Sequence, residues 1–292
     1  MWIALSLISA VGAAGTGLAL KRTLDRGGPL ASTVAYRGIA GVLLLAIASV
    51  GGLDHPLGAD YAWATAIVLP FEVVGTVALT LALRTGNLSL VQPLFGLLPV
   101  VVTLAGALAL GERPTAAALV GVGLVAAGVY GIGVDGSRGV LAPLRAVLRE
   151  PAGRWTLVAV AAWSVTTVVH KAGIAAVGPL PWAVTLALGS AAAIALVSPL
   201  LPRDLRAGPA PGDARRWAAW AAACGGLYAV QQVGLQSALD LAPVGYVTAL
   251  SAVSIVLAVL GGMALLGEQA GRWRLGGTGL VALGAALVAL YG

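Results

Sequence analysis

Charged residues are scarce in this chain. Of its 292 residues only 10% are Asp, Glu, Lys or Arg, far below the roughly one quarter that is usual for a soluble domain. Histidine and cysteine are also rare: two histidines provide no cluster for a metal, and the single Cys224 excludes an intrachain disulfide and a cysteine-based metal site. The sequence G-x-x-x-x-G-K-[ST] is absent, so nucleotide binding by a P-loop is excluded. We therefore expect no cofactor, no metal and no bound nucleotide.

Apolar residues take the place of the missing charge. Hydrophobic residues make up 59% of the chain and the mean hydropathy is +0.97. The repeated apolar runs are each about twenty residues long, which is the length of a helix that crosses roughly 30 Å of hydrocarbon. The sequence predicts an all-α membrane protein with ten transmembrane helices, at 2–20, 31–51, 61–83, 88–110, 115–134, 155–171, 180–201, 216–239, 243–266 and 273–291.

The chain repeats itself. Leu110-Gly111-Glu112 recurs as Leu266-Gly267-Glu268, and the glycines that follow recur at the same offset of 156 residues. Lys21 before Gly28-Pro29 is echoed by Lys171 before Gly178-Pro179 at an offset of 150. We expect two five-helix repeats, 1–134 and 155–292, joined by a linker at 135–154.

Basic residues lie almost entirely on one side of the predicted helices. Fourteen of them adjoin the odd-numbered loops and two adjoin the even-numbered loops. Five helices per repeat make the second copy enter the membrane from the opposite side, so the repeats are predicted to be inverted. The positive-inside rule places the odd loops in the cytoplasm and both termini outside. Because the basic residues are divided among short loops, a nucleic-acid partner is not expected.

These landmarks resemble a known family. Lys21, Gly28-Pro29, Arg37 and Leu110-Gly111-Glu112-Arg113, followed by a glycine-rich helix, look like one EamA domain of the drug/metabolite transporter superfamily. The second half resembles another such domain, although Ala187 stands where Arg37 would recur. The resemblance implies a ten-helix carrier in a bacterial inner (plasma) membrane, similar in fold to an amino-acid exporter of that family. That likeness suggests cytoplasmic termini, against the loop charges.

Two helices carry polar stripes. Glu72, Thr76 and Thr80 recur every four residues on the third predicted helix and therefore share one face. Adding 156 gives Tyr228, Gln232 and Gln236 on the eighth. If the repeats face each other, both stripes line one central cavity, which makes these residues candidates for substrate binding, together with Gln92 and Trp163.

Glu72 is the sharpest candidate because it lies roughly 16 Å deep by helical rise. A carboxylate at that depth is costly unless it is neutralised, paired or hydrated. It is interpreted as a titratable group that couples protons to transport or binds an amine. The alternative is a protonated acid that serves only packing. His170 is a second candidate for proton coupling, although snorkelling also explains its place.

Other residues have two interpretations each. Pro70, Pro93 and Pro99 interrupt helices near the expected cavity and indicate either gating hinges or static kinks. Arg37 pairs inside the membrane or snorkels to its surface. Glu112 and Glu268 are predicted to cap or turn a helix. The small residues Gly123, Ala127 and Gly131 permit close helix approach, either within a monomer, which we favour, or in a homodimer.

The sequence therefore predicts a secondary transporter that moves a small organic metabolite, such as an amino acid, amine or drug-like solute, by alternating access. Proton coupling is part of this hypothesis. A lipid flippase or scramblase, and a passive facilitator or channel, remain alternatives. An enzyme is not expected, because Glu72 has no acidic partner within the predicted helices. The expected partners are a small-molecule substrate and the lipid bilayer.

Overall fold

A computed structural model of the chain describes residues 1–51, 58–85, 94–133, 149–266 and 272–292. All regular secondary structure in these ranges is helical. Eleven helices are longer than one turn: α1 Trp2–Leu24, α2 Pro29–Gly51, α3 Ala59–Thr85, α4 Leu97–Leu110, α5 Ala116–Gly133, α6 Pro151–Val177, α7 Pro179–Val197, α8 Ala214–Leu241, α9 Val244–Ser251, α10 Val253–Leu266 and α11 Arg272–Tyr291.

Helix length and composition fit repeated membrane crossing. Within the described ranges, seven helical segments are long and apolar enough to span a bilayer, and α4 and α5 are shorter apolar helices. α8 is long, but its glutamines lower its hydropathy and it is not among the seven. The first part of the predicted helix 88–110 lies outside the described residues, and the predicted helix 243–266 is divided into α9 and α10. The number of ten transmembrane helices stays a prediction.

Proline and glycine set several helix ends. α6 and α7 begin at Pro151 and Pro179, where the missing proline N–H would have had no helical partner. Gly178, between α6 and α7, has φ +81°, and Gly111 ends α4 with φ +68°. Backbone in this left-handed region is strained for residues with a Cβ, so glycine allows both sharp turns.

The helix packing repeats the sequence duplication. The principal pairs are α1 with α8, α3 with α6, α2 with α7, and α5 with α11. At the sequence offset, α1 corresponds to α6 and α3 to α8, so the first pair is the counterpart of the second. α2 and α5 pack against their own counterparts, α7 and α11. Such reciprocal contacts are those of a two-fold relation between the halves.

Four glycines bring α5 and α11 together. Gly121 lies against Gly284, and Gly128 lies against Gly277, so the two helices run antiparallel. A Cβ added at any of the four would stand 2.5 to 2.8 Å from the opposing carbonyl oxygen. The predicted stripe contributes only in part: a Cβ at Gly131 would lie 3.6 Å from the Gly277 Cα, but a Cβ at Gly123 would meet nothing within 4 Å. The close approach joins the two halves of one chain.

Candidate substrate cavity

A cavity of about 650 Å³ lies between α1, α2, α3, α6 and α8. This volume is within the range of small-molecule binding sites. Both polar stripes contribute to its wall, since Glu72, Thr76 and Thr80 face it from α3, and Tyr228 and Gln232 face it from α8. The structure thus brings together most of the residues that the sequence singled out. Trp163 and His170 of α6 also line it.

The cavity opens at one end of the bundle. Its exposed lining residues are Leu24, Leu83 and Arg84, at the ends of α1 and α3. Its opposite end meets an apolar cluster that includes the fully buried Trp182, Leu239 and Val247. Leu186 belongs to this cluster and also lines the cavity, so the cluster forms the floor. The mouth lies on the side of the basic loops.

An ion pair lies inside the cavity. Arg37 Nη1 donates a hydrogen bond to Glu72 Oε2 at 2.8 Å, and the two side chains are only 8% and 12% exposed. α2 positions the guanidinium and α3 the carboxylate. Burying two opposite charges as a pair among apolar helices costs less free energy than burying either charge alone. Of the two interpretations of Arg37, the structure supports pairing.

Tyr228 approaches the same guanidinium from the second half. The Arg37 guanidinium carbon lies 5.5 Å from the centroid of the Tyr228 ring, within the distance of a cation–π interaction. The Tyr36 ring meets Tyr228 edge to face, with centroids 5.2 Å apart. Tyr228 is the counterpart of Glu72, so both equivalent positions converge on Arg37. Ala187, the counterpart of Arg37, is fully buried.

Several residues of the cavity wall have buried polar atoms without a hydrogen-bond partner in the described ranges. Thr80 donates its hydroxyl proton to the carbonyl oxygen of Thr76 at 2.8 Å. Thr16 Oγ1, Thr76 Oγ1 and Arg37 Nε are buried and have no hydrogen-bond partner within the described ranges. All three residues line the cavity. An unpaired buried polar atom destabilises the protein, so a ligand that bonds to these atoms gains binding free energy.

Trp163 forms an aromatic wall. Its ring lies 5.7 Å from that of Phe95, centroid to centroid. It also packs directly on Gly75 of α3, where an added Cβ would come 2.6 Å from the indole nitrogen. The indole therefore occupies the space that a side chain at position 75 would fill.

His170 is held by a hydrogen bond from the floor. Trp182 Nε1 donates to His170 Nδ1 at 3.3 Å, and His170 is 6% exposed. The indole N–H is a donor only, so Nδ1 accepts and the ring proton of the neutral imidazole is on Nε2. A proton added to Nδ1 would break this bond, and the role of His170 in proton coupling stays a prediction.

The remaining candidates lie elsewhere. Gln236 does not line the cavity; it is fully buried, and its Nε2 donates to Gln232 Oε1 at 2.9 Å. Pro70 lies within α3, two residues before Glu72, and Pro99 lies within α4, where its carbonyl accepts the hydroxyl of Thr103. Gln92 and Pro93 lie outside the described residues, as does Glu268.

Sequence reasoning missed several lining residues, among them Tyr36 and Gln231. Tyr36 precedes Arg37 and escaped notice because a single tyrosine in an apolar helix carries no periodic signal. Gln231 lies three residues after Tyr228, so the helical period could have placed it on the same face.

The closed end is held by a carboxylate from the first half. Glu112 accepts the backbone N–H of Val244 with both oxygens, at 3.0 and 3.1 Å. Lys171 Nζ lies 3.6 Å from Glu112 Oε1. The predicted capping role is confirmed for Glu112, but the capped helix, α9, belongs to the other half.

Metal binding has no support in the described ranges, where no group of three or more His, Cys, Asp or Glu side chains is placed to hold an ion.

The chain matches no curated protein. It is similar to a solved structure described only as the crystal structure of a protein, at 20% identity and a TM-score of 0.75, over 99% of each chain. At this identity the likeness shows the fold alone.

A family model decides the identity. The model of the EamA-like transporter family matches residues 1–134 and again residues 153–290. The two matches cover most of the chain and recover its duplication. Together with the many apolar helices, they make the protein an integral, multi-pass membrane transporter. The chain belongs to the EamA-like transporter family.

Proposed function

We propose that this protein is a secondary transporter that moves a small organic metabolite, an amino acid, amine or drug-like solute, by alternating access. The observation that carries the proposal is a cavity of about 650 Å³ that lies between the two halves, has its exposed lining residues at one end within the described ranges, and encloses the ion pair of Arg37 and Glu72. A cavity closed at one end by packed helices is what a carrier presents in one of its two states.

The proposed architecture is ten transmembrane helices in two inverted five-helix repeats, 1–134 and 155–292, joined at 135–154. The support is the antiparallel contact of α5 with its counterpart α11, in which Gly121 meets Gly284 and Gly128 meets Gly277. A two-fold axis that exchanges antiparallel helices runs across them, hence within the membrane plane. Because this contact uses the small residues internally, we propose a monomer in a bacterial inner membrane.

The loop charges support an orientation. If the basic loops are cytoplasmic, both termini are outside and the mouth at Leu24 and Arg84 faces the cytoplasm. The likeness to an amino-acid exporter, which suggested the opposite orientation, is not singled out by the comparisons.

The ion pair supports a zwitterion or an amine as the substrate. A substrate ammonium group competes with Arg37 for Glu72, and so does a proton. Glu72 is therefore the proposed coupling group. A polyanion is disfavoured because both guanidinium groups that line the cavity within the described ranges are already paired, Arg37 with Glu72 and Arg84 with Asp204.

The test is reconstitution in liposomes that contain a pH dye. Wild type, Glu72→Gln and the matched control Glu150→Gln, which changes an exposed acid at the start of α6, are screened with amino acids and amines. We expect solute-driven proton flux in the wild type and the control, and solute exchange without proton flux in Glu72→Gln. Undiminished proton flux in Glu72→Gln would remove Glu72 from coupling. Lipid scrambling without solute flux would favour a scramblase, and unsaturable flux would favour a channel.

A further inference from the structure

A second, smaller cavity lies behind the first. It has a volume of about 320 Å³ and shares Leu98, Gln231 and Leu235 with the substrate cavity. On α1 it is lined by Ser9, whereas the substrate cavity is lined by Thr16 and then by Leu24 at the mouth, so the second cavity lies deeper. Among the residues that the structure describes, none that lines this cavity is exposed. We call it the inner chamber.

The inner chamber lies where two helices are interrupted at equivalent positions. The helical run at 94–95 is separated from α4 by Gly96, and α9 is separated from α10 by Ala252. The positions differ by 156, the offset of the repeat. Phe95, Leu98 and Pro99 border the chamber beside one interruption, and Ser251, Ala252 and Ser254 border it beside the other. Paired interruptions in the two halves of a transporter point to the binding site.

The chemistry of the inner chamber differs from that of the outer cavity. No charged side chain of the described residues lines it. Its polar groups are the hydroxyls of Ser9, Thr248, Ser251 and Ser254 and the amide of Gln231. Ser251 Oγ is buried and has no hydrogen-bond partner within the described ranges. A site of this kind accepts an uncharged group and excludes a charged one, because nothing in it compensates for lost hydration.

We propose that the inner chamber is a second subsite, which binds the uncharged end of a substrate whose charged head lies at Arg37 and Glu72. The inference rests on the proposed transport function and deepens it: the substrate is a small amphiphile with a zwitterionic or cationic head and an uncharged tail. Gln231, which faces both cavities, marks the junction between head and tail.

Thiol labelling tests the chamber without knowledge of the substrate. Cys224 is the only cysteine, so Cys224→Ser provides a background for Ser251→Cys in the chamber and Thr80→Cys in the outer cavity. The probes are benzyl methanethiosulfonate, which is neutral, and trimethylammonium-ethyl methanethiosulfonate, which is no bulkier and permanently charged. Labelling of protein in lipid nanodiscs is followed by intact mass spectrometry.

We expect Thr80→Cys to react with both probes and Ser251→Cys to react at least about tenfold faster with the neutral probe. Adding Gln231→Trp at the junction is expected to slow labelling of Ser251→Cys and to leave Thr80→Cys unchanged. Equal rates with both probes at Ser251→Cys, or no reaction with either, would overturn the proposal. An unchanged labelling rate of Ser251→Cys after Gln231→Trp would also overturn the proposal, because the probe would then reach the chamber by another route.

A transport measurement tests the subsite with ligands. Ser251→Phe fills the chamber, and Ser49→Phe makes the same change at an exposed position on α2. The probes are unbranched α-amino acids of increasing side-chain length. We expect Ser251→Phe to weaken the transport of the longest amino acids about tenfold and to leave the transport of the shortest unchanged. An equal loss across the series would contradict a tail subsite. If the wild type transports none of them, the proposed function fails for this class, while the labelling result still decides the chamber.

Discussion

Position 72 in the first half of the chain carries a glutamate, and its counterpart in the second half, position 228, carries a tyrosine. Position 37 carries an arginine, and its counterpart carries the buried Ala187. The contacts between α5 and α11 show no such difference, since Gly121 meets Gly284 just as Gly128 meets Gly277. The frame of packed helices is thus the same in the two halves, whereas the charged residues Arg37 and Glu72 occur in the first half only. A symmetric frame allows two equivalent states, whereas an asymmetric charge gives a bound ligand one orientation.

The largest expected effect comes from removing half of the ion pair. Arg37→Gln leaves the Glu72 carboxylate buried without its partner, and we expect a loss of about 3–5 kcal/mol in the free energy of unfolding. Adding Glu72→Gln makes both members of the pair uncharged and should restore most of the lost free energy of unfolding. Thermal unfolding in detergent measures both. A single variant as stable as the wild type would show that the pair is not coupled.

Large side chains introduced at the interface between α5 and α11 test whether the two halves share one frame. Gly121→Leu and its counterpart Gly277→Leu should each destabilise the protein by about 1–3 kcal/mol or more, because the side chain meets opposing backbone. Gly123→Leu and Gly279→Leu are matched controls, since a Cβ at either meets nothing within 4 Å. Thermal unfolding of all four should give equal effects within each pair. A difference between Gly121→Leu and Gly277→Leu would break the symmetry.

Removing the aromatic ring that faces Arg37 tests the asymmetry from the second half. Tyr228→Leu should cost about 2 kcal/mol, because a cation–π contact between desolvated groups is lost, and Tyr228→Phe should cost clearly less because the ring remains. Unfolding temperature and substrate affinity are the measurements. Equal losses in the two variants would assign the effect to the hydroxyl.

The closed end depends on Glu112 of the first half. Glu112→Gln should destabilise the protein by about 1 kcal/mol, because the charged acceptor of the Val244 N–H and the partner of Lys171 are both lost. Asp240→Asn is the control, since it changes an exposed acid at the same end. Matching unfolding temperatures for Glu112→Gln and the control would remove this contact from the forces that close the cavity.

The smallest effect is expected at the mouth. Arg84 Nη2 lies 3.1 Å from Asp204 Oδ2, but the side chains are 45% and 57% exposed. Arg84→Gln should therefore change stability by less than about 1 kcal/mol, and less still in high salt. Unfolding in low and high salt checks this. A large, salt-independent loss would show that the mouth, like the closed end, is firmly held.

Local patterns account for what could be predicted. The duplication and the apolar helices follow from a constant offset and from runs of about twenty residues, which need no knowledge of packing. The family was indicated by the resemblance of short landmark motifs, which are also local. The stripe of Glu72, Thr76 and Thr80 is equally local, because residues four apart share a face. Its counterpart was only partly informative, since Gln236 does not line the cavity. The limits of the repeats and the roles of the lining residues stay predictions.

Contacts between distant segments could not be predicted in the same way. Close approach of α5 and α11 depends on how each helix is rotated, so the sequence favoured Gly123 where Gly121 and Gly128 make the contact. The partner of Glu112, the backbone of Val244, carries no signature in sequence at all.

By itself, the sequence determined that the chain is a duplicated membrane protein with the landmarks of a transporter family, because hydrophobic length, repetition and short motifs are properties of the chain alone. Only the tertiary structure decided that Arg37 pairs with Glu72 and lies under Tyr228, that Trp182 holds His170, and that an uncharged chamber lies behind the cavity. These features depend on the rotation and spacing of helices far apart in the chain, which packing between complementary surfaces sets.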